Sequence, residues 1–536
     1  MTKKKNLVWL DINASYSHSS LALPAIEAAC APSDYTWKKV SGTINSDIFL
    51  VTKELHKADP QIIAATLWLF NHEIVIKICQ RIKALLPEVK IILGGPEFNG
   101  DNEHFLRQNN CIDQVFRGEG EIEFQKILNH QDPKTIKGLC YIDPDGKYQD
   151  NQKASVADFK SLPAPEKSPF FDFDSPFVQL ECSRGCFNSC AFCVSGNDKP
   201  IRTKPISEIR ERLNEIEKKG IQEIRILDRT FNYSPKRAKE MLDLFGEYPQ
   251  MNFHLEIHPA LLTDELCNRL KAMPKGRLHL EAGMQSLDDK VIEASERIGT
   301  NQKAIEGLTK LCQMDNFETH ADLIAGLPHY TLEQIFKDIR TLSKIKAAEI
   351  QLELLKLLPG TKMRDQAKEL GICYAITPPY EVLQTPQITI DELDKARVLS
   401  KLVDKFYNAK GWQRVTRKII NENEDFLLKF LEYLIPTELL EKPISLEKRG
   451  AILHKFCKEK MQGNYLDEIA IAWIENGLSM RRIEAGDIQK ATALPENITR
   501  QPNVHYFHWR GTKKQYIFCV DRSKDHSKPT ERIEIK

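Results

Sequence analysis

Over the first 130 residues, apolar positions fall in short, almost unbroken runs separated by stretches of helical spacing. Residues 7–12 read as a buried strand and 21–30 as the helix after it. Residues 62–69 form a second apolar run, and behind it Ile74, Ile78, Ile82 and Leu85 repeat at the interval of a helix. Two further runs, 89–93 and 114–116, enter the glycine turns Gly94-Gly95-Pro96 and Arg117-Gly118-Glu119-Gly120. A strand that loses polar alternation is covered on both faces. The pattern therefore predicts a doubly wound parallel sheet, with its glycine turns at the carboxyl ends of strands, where such sheets bind ligands.

From 141 to 175 the pattern dissolves into Asp, Gly, Lys and Pro, including Pro163, Pro165 and Pro169, as in a linker with room for a small hairpin. A second strand–helix series occupies 176–376, with strands expected at 177–180, 223–227, 253–257, 277–280, 320–324 and 349–354. Ile206, Ile209, Leu213 and Ile216 mark a helix closed by Gly220. Six strands spaced by helices imply a partial or full (β/α) barrel, whose chemistry sits at its carboxyl-terminal rim. Past Pro378-Pro379, Thr389 and Glu392 form a capping box ahead of Leu393, Ala396, Leu402 and Phe406. The region 377–536 reads as mainly helical, with a terminal hairpin within 504–520. The expected organisation is an α/β chain of two sheet domains, 1–140 and 176–376, joined by a linker and followed by a helical domain.

Composition narrows the partners. With 536 residues, 41% hydrophobic and 28% charged, the chain suits a soluble protein of two or three domains. It shows no 18-residue apolar run and no signal-peptide pattern, so a cytoplasmic protein without a membrane partner is expected. Lys plus Arg total 76 against 75 Asp plus Glu, leaving no global field to attract nucleic acid. Of 13 cysteines, nine are scattered and read as reduced buried thiols. The other four, Cys182, Cys186, Cys190 and Cys193, lie within twelve residues.

Cys186, Cys190 and Cys193 have the spacing C-x3-C-x2-C directly after the first strand of the second series. Three thiolates on one loop can cap three irons of a cubane cluster and leave the fourth iron open. A structural zinc ion would want a fourth ligand, which Cys182 could supply only from the end of the preceding strand. From Glu181-Cys182-Ser183-Arg184-Gly185-Cys186 to Phe192-Cys193, the loop resembles that of radical S-adenosylmethionine (SAM) enzymes, and specifically of those with an amino-terminal cobalamin-binding domain. Cys182, where such loops commonly carry threonine, is read as a packing residue. The resemblance extends through Leu227-Asp228, Glu281-Ala282-Gly283-Met284-Gln285-Ser286, Asp322-Leu323-Ile324-Ala325-Gly326-Leu327-Pro328 and Leu355-Lys356-Leu357-Leu358-Pro359-Gly360-Thr361, covering residues 5 to 375. It implies a [4Fe–4S] cluster that cleaves SAM to a 5′-deoxyadenosyl radical, with electrons from a flavodoxin- or ferredoxin-type donor. By the same resemblance Phe192 packs near adenine and Asp228 takes the SAM amino group. Glu256, Gln285 and Ser286 serve ribose or carboxylate, Arg297 the carboxylate, and Gly326, Leu327 and Pro328 flank the adenosine.

In the first domain, the loop with Asn13, Ser15, Tyr16 and His18, then Thr66 and Trp68, then Gly94, Gly95, Pro96 and Glu97, resembles the slot of cobalamin-binding domains, with Gly118 and Glu119 beside it. Paired glycines let a backbone approach a bulky ligand. The D-x-H-x-x-G signature that ligates cobalt is missing; many relatives hold cobalamin without a histidine ligand.

The two cofactors together imply methylation of an unactivated carbon. The rivals are rearrangement or oxidative cyclisation without methyl transfer, tRNA modification, and a non-enzymatic corrinoid or iron–sulfur carrier. An RNA substrate would draw on Lys410, Trp412, Arg414, Arg417, Arg481, Arg482, Trp509, Arg510, Lys513 and Lys514, where basic and aromatic residues mix, although Glu422, Glu424 and Asp425 are interleaved. Tyr380, following Pro378-Pro379, is a candidate to reach the cavity. Whether the substrate is a small molecule, a peptide or tRNA is not written in the sequence.

Overall fold

The computed structural model describes every residue except 1–4, 16–18, 31–33, 155, 197, 479–485, 492–493, 495–498, 522–527 and 536. It divides into two compact units, one of residues 1–319, 326–331 and 354–390, the other of 320–325, 332–353 and 391–536.

In the first unit, β1 (Lys5–Asn13), β2 (Tyr35–Thr43), β3 (Ile62–Thr66), β4 (Lys90–Gly94) and β5 (Gln114–Phe116) run parallel in the order β2-β1-β3-β4-β5. Successive side chains of β1 enter opposite cores: Val8 and Leu10 join Ile63, Ala65 and the helix His72–Leu85, while Leu7 and Trp9 join Ile62, Ala64 and Phe116. Two dry faces explain the unbroken apolar runs. Strand order reverses between β1 and β3, so the loops after these strands part at the switch point and open a crevice. The pattern of apolar runs does not predict β2. It is an edge strand with Thr36 exposed and Lys38 and Lys39 half-buried, and an edge needs fewer buried positions than a central strand.

The expected linker begins with the small hairpin, β6 (Leu139–Ile142) and β7 (Tyr148–Asp150), which adds antiparallel to β5. Next come β8 (Val178–Leu180) and the short antiparallel pair β9 (Ser183–Arg184) and β10 (Arg202–Thr203). With β11 (Glu223–Ile226), β12 (Asn252–Ile257) and β13 (Leu278–Gln285), β8 builds a parallel run ordered β8-β11-β12-β13. Its register aligns Gln179, Arg225, His254 and His279 in one row and Glu256 beside Glu281 in another. These polar rows alternate with Leu180, Ile226, Leu255 and Leu280, all at most 2% exposed. The sheet is thus apolar on its helix-covered face and polar on the other.

Most of β14 (Glu318–Ala325) and β15 (Glu349–Leu354) belongs to the second unit, where they are neighbouring strands. All six strands expected of the second series therefore form. The first unit regains the chain for the two-stranded β16 (Cys373–Tyr374) and β17 (Val382–Gln384). The rest of the second unit packs helices Lys410–Glu422, Phe426–Leu434, Leu446–Lys460 and Leu466–Glu475 around Trp412, Trp473, Phe430 and Phe456. The expected terminal hairpin is the central pair of a four-stranded antiparallel sheet, β18 (Asp487–Lys490), β19 (Val504–Arg510), β20 (Gln515–Asp521) and β21 (Glu531–Glu534). Among the described residues no helix is long and apolar enough to cross a membrane.

Candidate functional site

The loop bearing the three cysteines is wound too tightly for side chains at two points. A Cβ on Gly185, at φ +88°, would meet Asp198 O at 2.7 Å, and one on Gly196 would meet Cys190 O at 2.6 Å. Cys186 N donates to Asp198 O (3.1 Å) and Cys193 N to Cys190 O (3.0 Å). The amides of Asn188 and Ser195 donate to Cys186 Sγ and Cys193 Sγ, each at 3.4 Å, and Thr230 Oγ1 lies 3.8 Å from Cys186 Sγ. The two backbone amides stabilise thiolates, the form that binds metal. Burial pushes the Cys190 thiol up, Arg297 opposes that shift, and the Cys193 and Cys186 sulfurs add to it, so the three sulfurs sense one another. Among the described residues no three His, Cys, Asp or Glu gather as ligands of one ion. Thiolates that each cap a different iron need not converge, and this donor set fits a three-cysteine cubane.

Neighbouring segments hold the loop in place. Ala191 N donates to Ser295 O (2.9 Å), Ile298 N to Asn188 Oδ1 (2.8 Å) and Met363 N to Ala191 O (2.9 Å). Arg297 spans the gap between loop and sheet, with Nη2 on Gly283 O (2.5 Å) and Nη1 3.8 Å from Cys190 Sγ. Asp228 is turned inward: its Oδ1 accepts from Cys182 N (2.9 Å) and Ser183 N (2.7 Å), and burial pushes its carboxyl up to about 6 despite those donors. Through these two amides it positions the start of the loop. Burial likewise pushes Glu256 up to about 7, with Arg229 opposing and Glu281 reinforcing. Gln285 adopts φ +66° and lays its amide where Gly283 lacks a Cβ. Ser286 is fully buried and accepts from Asp288 N (3.1 Å) in the turn to the next helix. Gly326, Leu327 and Pro328 are buried, whereas Phe192 is half-buried in the loop itself. Cys182 is fully buried behind the loop, as a packing residue would be. Sequence reasoning singled out neither Thr230 nor His258. The His258 ring lies 5.5 Å from Phe187, and burial lowers its pKa to about 3, so it faces the loop as a neutral ring.

A cavity of about 650 Å³ opens between the first sheet and the cysteine loop. Asn13, Thr66, Trp68, Gly94, Gly95, Pro96 and Gly118 line one side; Ser183, Arg184, Gly185 and Ser195 line the other. At Gly95, with φ +110°, a Cβ would approach Leu67 O to 2.6 Å. The glycine brings bare backbone to the wall. Trp68 and Phe70 stack at 6.3 Å and are 37% and 41% exposed, forming a flat apolar flank toward solvent. A roomy slot with small residues, bare backbone and an aromatic flank fits a corrinoid, and no described histidine lines it. Ser15 adjoins the lining residue Ala14, while Tyr16 and His18 lie outside the described residues.

The two walls are cross-linked. Arg184, its side chain 14% exposed, pairs with Glu119 (3.4 Å), Glu121 (2.6 Å) and Glu181 (2.9 Å), and Arg202 pairs with Glu119 (2.6 Å). Against the upward push of burial, Arg202 and Arg184 hold the Glu119 carboxyl below the usual range. Glu119 is therefore a strut as well as a lining residue. Glu97 and Tyr380, expected at the slot and the cavity, meet each other instead: Tyr380 OH donates to Glu97 Oε2 (2.7 Å), and His72 Nδ1 lies 3.2 Å from that oxygen. Neither residue lines the cavity.

In the second unit, part of the basic and aromatic set is already engaged within the fold. Trp412 and Trp509 are fully buried, and Trp412 Nε1 donates to Leu446 O (2.8 Å). Arg414 pairs with Glu475, Lys514 with Glu468 (3.1 Å), and Arg417 donates to Ala347 O (2.9 Å). Arg510 and Lys513 are exposed, and Arg481 and Arg482 lie outside the described residues. Among the described residues of the set, both tryptophans are buried and so present no stacking face.

Comparison with known proteins places three family matches along the chain. The B12-binding domain matches residues 12–128, the radical SAM superfamily matches 180–342, and a protein family of unknown function (DUF4080) matches 368–473. An uncharacterized methyltransferase of Pyrococcus horikoshii is 25% identical over 401 residues, 71% of this chain and 85% of that protein. The cobalamin-dependent SAM radical enzyme OxsB, with aqua-cobalamin and SAM bound, superposes with a TM-score of 0.62 at 15% identity, over 88% of this chain and 78% of its own. The radical SAM methyltransferase TsrM of Kitasatospora setae gives 0.58 at 15% identity, over 69% and 79%. At such identity the superpositions speak for the fold.

Proposed function

The chain is a radical SAM protein with an amino-terminal B12-binding domain, and from that premise we propose that it methylates an unactivated carbon of its substrate. The observation that carries this reading is the shared cavity, walled on one side by the ends of the first sheet's strands and on the other by the residues that lead into the cysteine loop. When bound, a [4Fe–4S] cluster, SAM and cobalamin would supply one-electron SAM cleavage, hydrogen abstraction and a transferable methyl group.

The chain's own residues bind, orient and exclude. Cys186, Cys190 and Cys193 hold the cluster. Asn13, Thr66, Gly94, Gly95, Pro96 and Gly118 form the corrinoid slot, closed toward solvent by Trp68 and Phe70. Phe192 packs near adenine, and Glu256 and Gln285 take polar groups of SAM, Glu256 changing its proton near neutrality because burial has raised it to about 7. Arg184, Glu119 and Arg202 fix the spacing of the two walls, since a bidentate arginine resists sliding better than a single contact. The proposed reductant is a flavodoxin- or ferredoxin-type donor.

The test is anaerobic reconstitution with all three cofactors, followed by incubation with metabolite extract or total RNA from a deletion strain. A substrate that gains one methylene unit by mass supports methyl transfer. A product that loses hydrogens without gaining carbon sinks it in favour of cyclisation.

A further inference from the structure

We propose that Arg297 tunes the cluster, its guanidinium donating to the Cys190 thiolate and making the cluster easier to reduce. The inference rests on the assignment of Cys186, Cys190 and Cys193 as cluster ligands.

The three cysteines differ in their donors. Cys186 and Cys193 receive backbone amides at 3.4 Å, whereas Cys190, only 6% exposed, faces the guanidinium of Arg297 at 3.8 Å. That guanidinium is anchored: Nη2 sits on Gly283 O (2.5 Å), and the backbone around it is tied down by Ile298 N to Asn188 Oδ1 (2.8 Å) and Ala191 N to Ser295 O (2.9 Å). The Gln285 side-chain amide occupies the space beside Gly283. A planar, permanently charged group held at both edges keeps its direction.

Reduction adds one electron, supplied in the cell by a low-potential protein donor and in the tube by dithionite. The cluster and its thiolates gain one negative charge. A fixed cation and an N–H donor at one thiolate stabilise that more negative state more than the oxidised one, and the effect is strong where water screens poorly. The backbone amides at the other two thiolates act in the same sense without a net charge.

The experiment is a potentiometric titration, followed by electron paramagnetic resonance, on anaerobically reconstituted wild type, R297M and R297K, all without SAM. R297M is expected to lower the reduction equilibrium constant about tenfold, roughly 59 mV for one electron. R297K, which keeps the charge and loses the fork, is expected to fall between. An unchanged midpoint in R297M overturns the proposal; if SAM affinity, measured separately on the same variant, is lost as well, Arg297 is a ligand for SAM's carboxylate alone. Two variants that fold as the wild type but take up no iron also overturn it, by making Arg297 an assembly residue. Failure of the wild type itself to bind iron is a different result and removes the cluster assignment underneath.

Discussion

The cysteine loop and the ion-paired band of the second unit both gather cations near aromatics, and they use them in opposite ways. Around the loop, donors are aimed at sulfur and at backbone carbonyls, and bare glycine backbone closes the turn. In the band, Lys418 (2.6 Å) and Lys514 (3.1 Å) converge on Glu468, while Arg414 and Arg532 converge on Glu475. A charge neutralised by its neighbours stabilises the fold. A donor aimed at a sulfur instead favours its thiolate form. In the band the deciding carboxylates come from a helix some fifty residues away from Lys418.

The comparison is broken most severely at the loop. Cys190→Ala is expected to reduce SAM cleavage to background and to lower bound iron, read by product chromatography and iron analysis; cleavage near the wild-type rate removes the cluster assignment. Next comes the slot. Gly95→Val would press a side chain against Leu67 O and force a left-handed φ on a branched residue, a strain of roughly 1–2 kcal/mol. Cobalamin uptake is expected to fall at least about tenfold while the visible absorption of the cluster persists. Full corrinoid occupancy in that variant relocates the site.

The smallest effect belongs to the band. Burial alone would raise Glu468, but Lys418 and Lys514 hold it at about 2, below its ordinary 4.5. A depressed acid contributes stability that is fully present above the unfolded value and is lost as pH falls through the folded one. Glu468→Gln should thus cost about 1 kcal/mol at neutral pH after allowing for solvent screening, with the gap to wild type closing between pH 4.5 and about 2. Denaturant unfolding at stepped pH measures it, and a gap that widens in acid contradicts the ion pairing. SAM cleavage should be untouched by this change.

Much of the site was legible because it is local. The spacing of Cys186, Cys190 and Cys193, the paired glycines and the apolar runs of β1, β3 and β4 all depend on neighbours a few residues away, and such patterns survive in one dimension. The edge strand β2 escaped because half of its positions need no burial.

Directions of side chains were decided elsewhere. Asp228 looked like a rim carboxylate from its place at a strand end, yet it caps the amides of Cys182 and Ser183, 46 and 45 residues away. Glu97 and Tyr380 each read as a site residue and instead satisfy one another across 283 residues. By itself the sequence determined most of the buried strands and helices and which loop carries thiols. Only the tertiary structure decided which polar groups are left for ligands, because a buried donor or acceptor must find a partner, and packing alone settles whether that partner is protein.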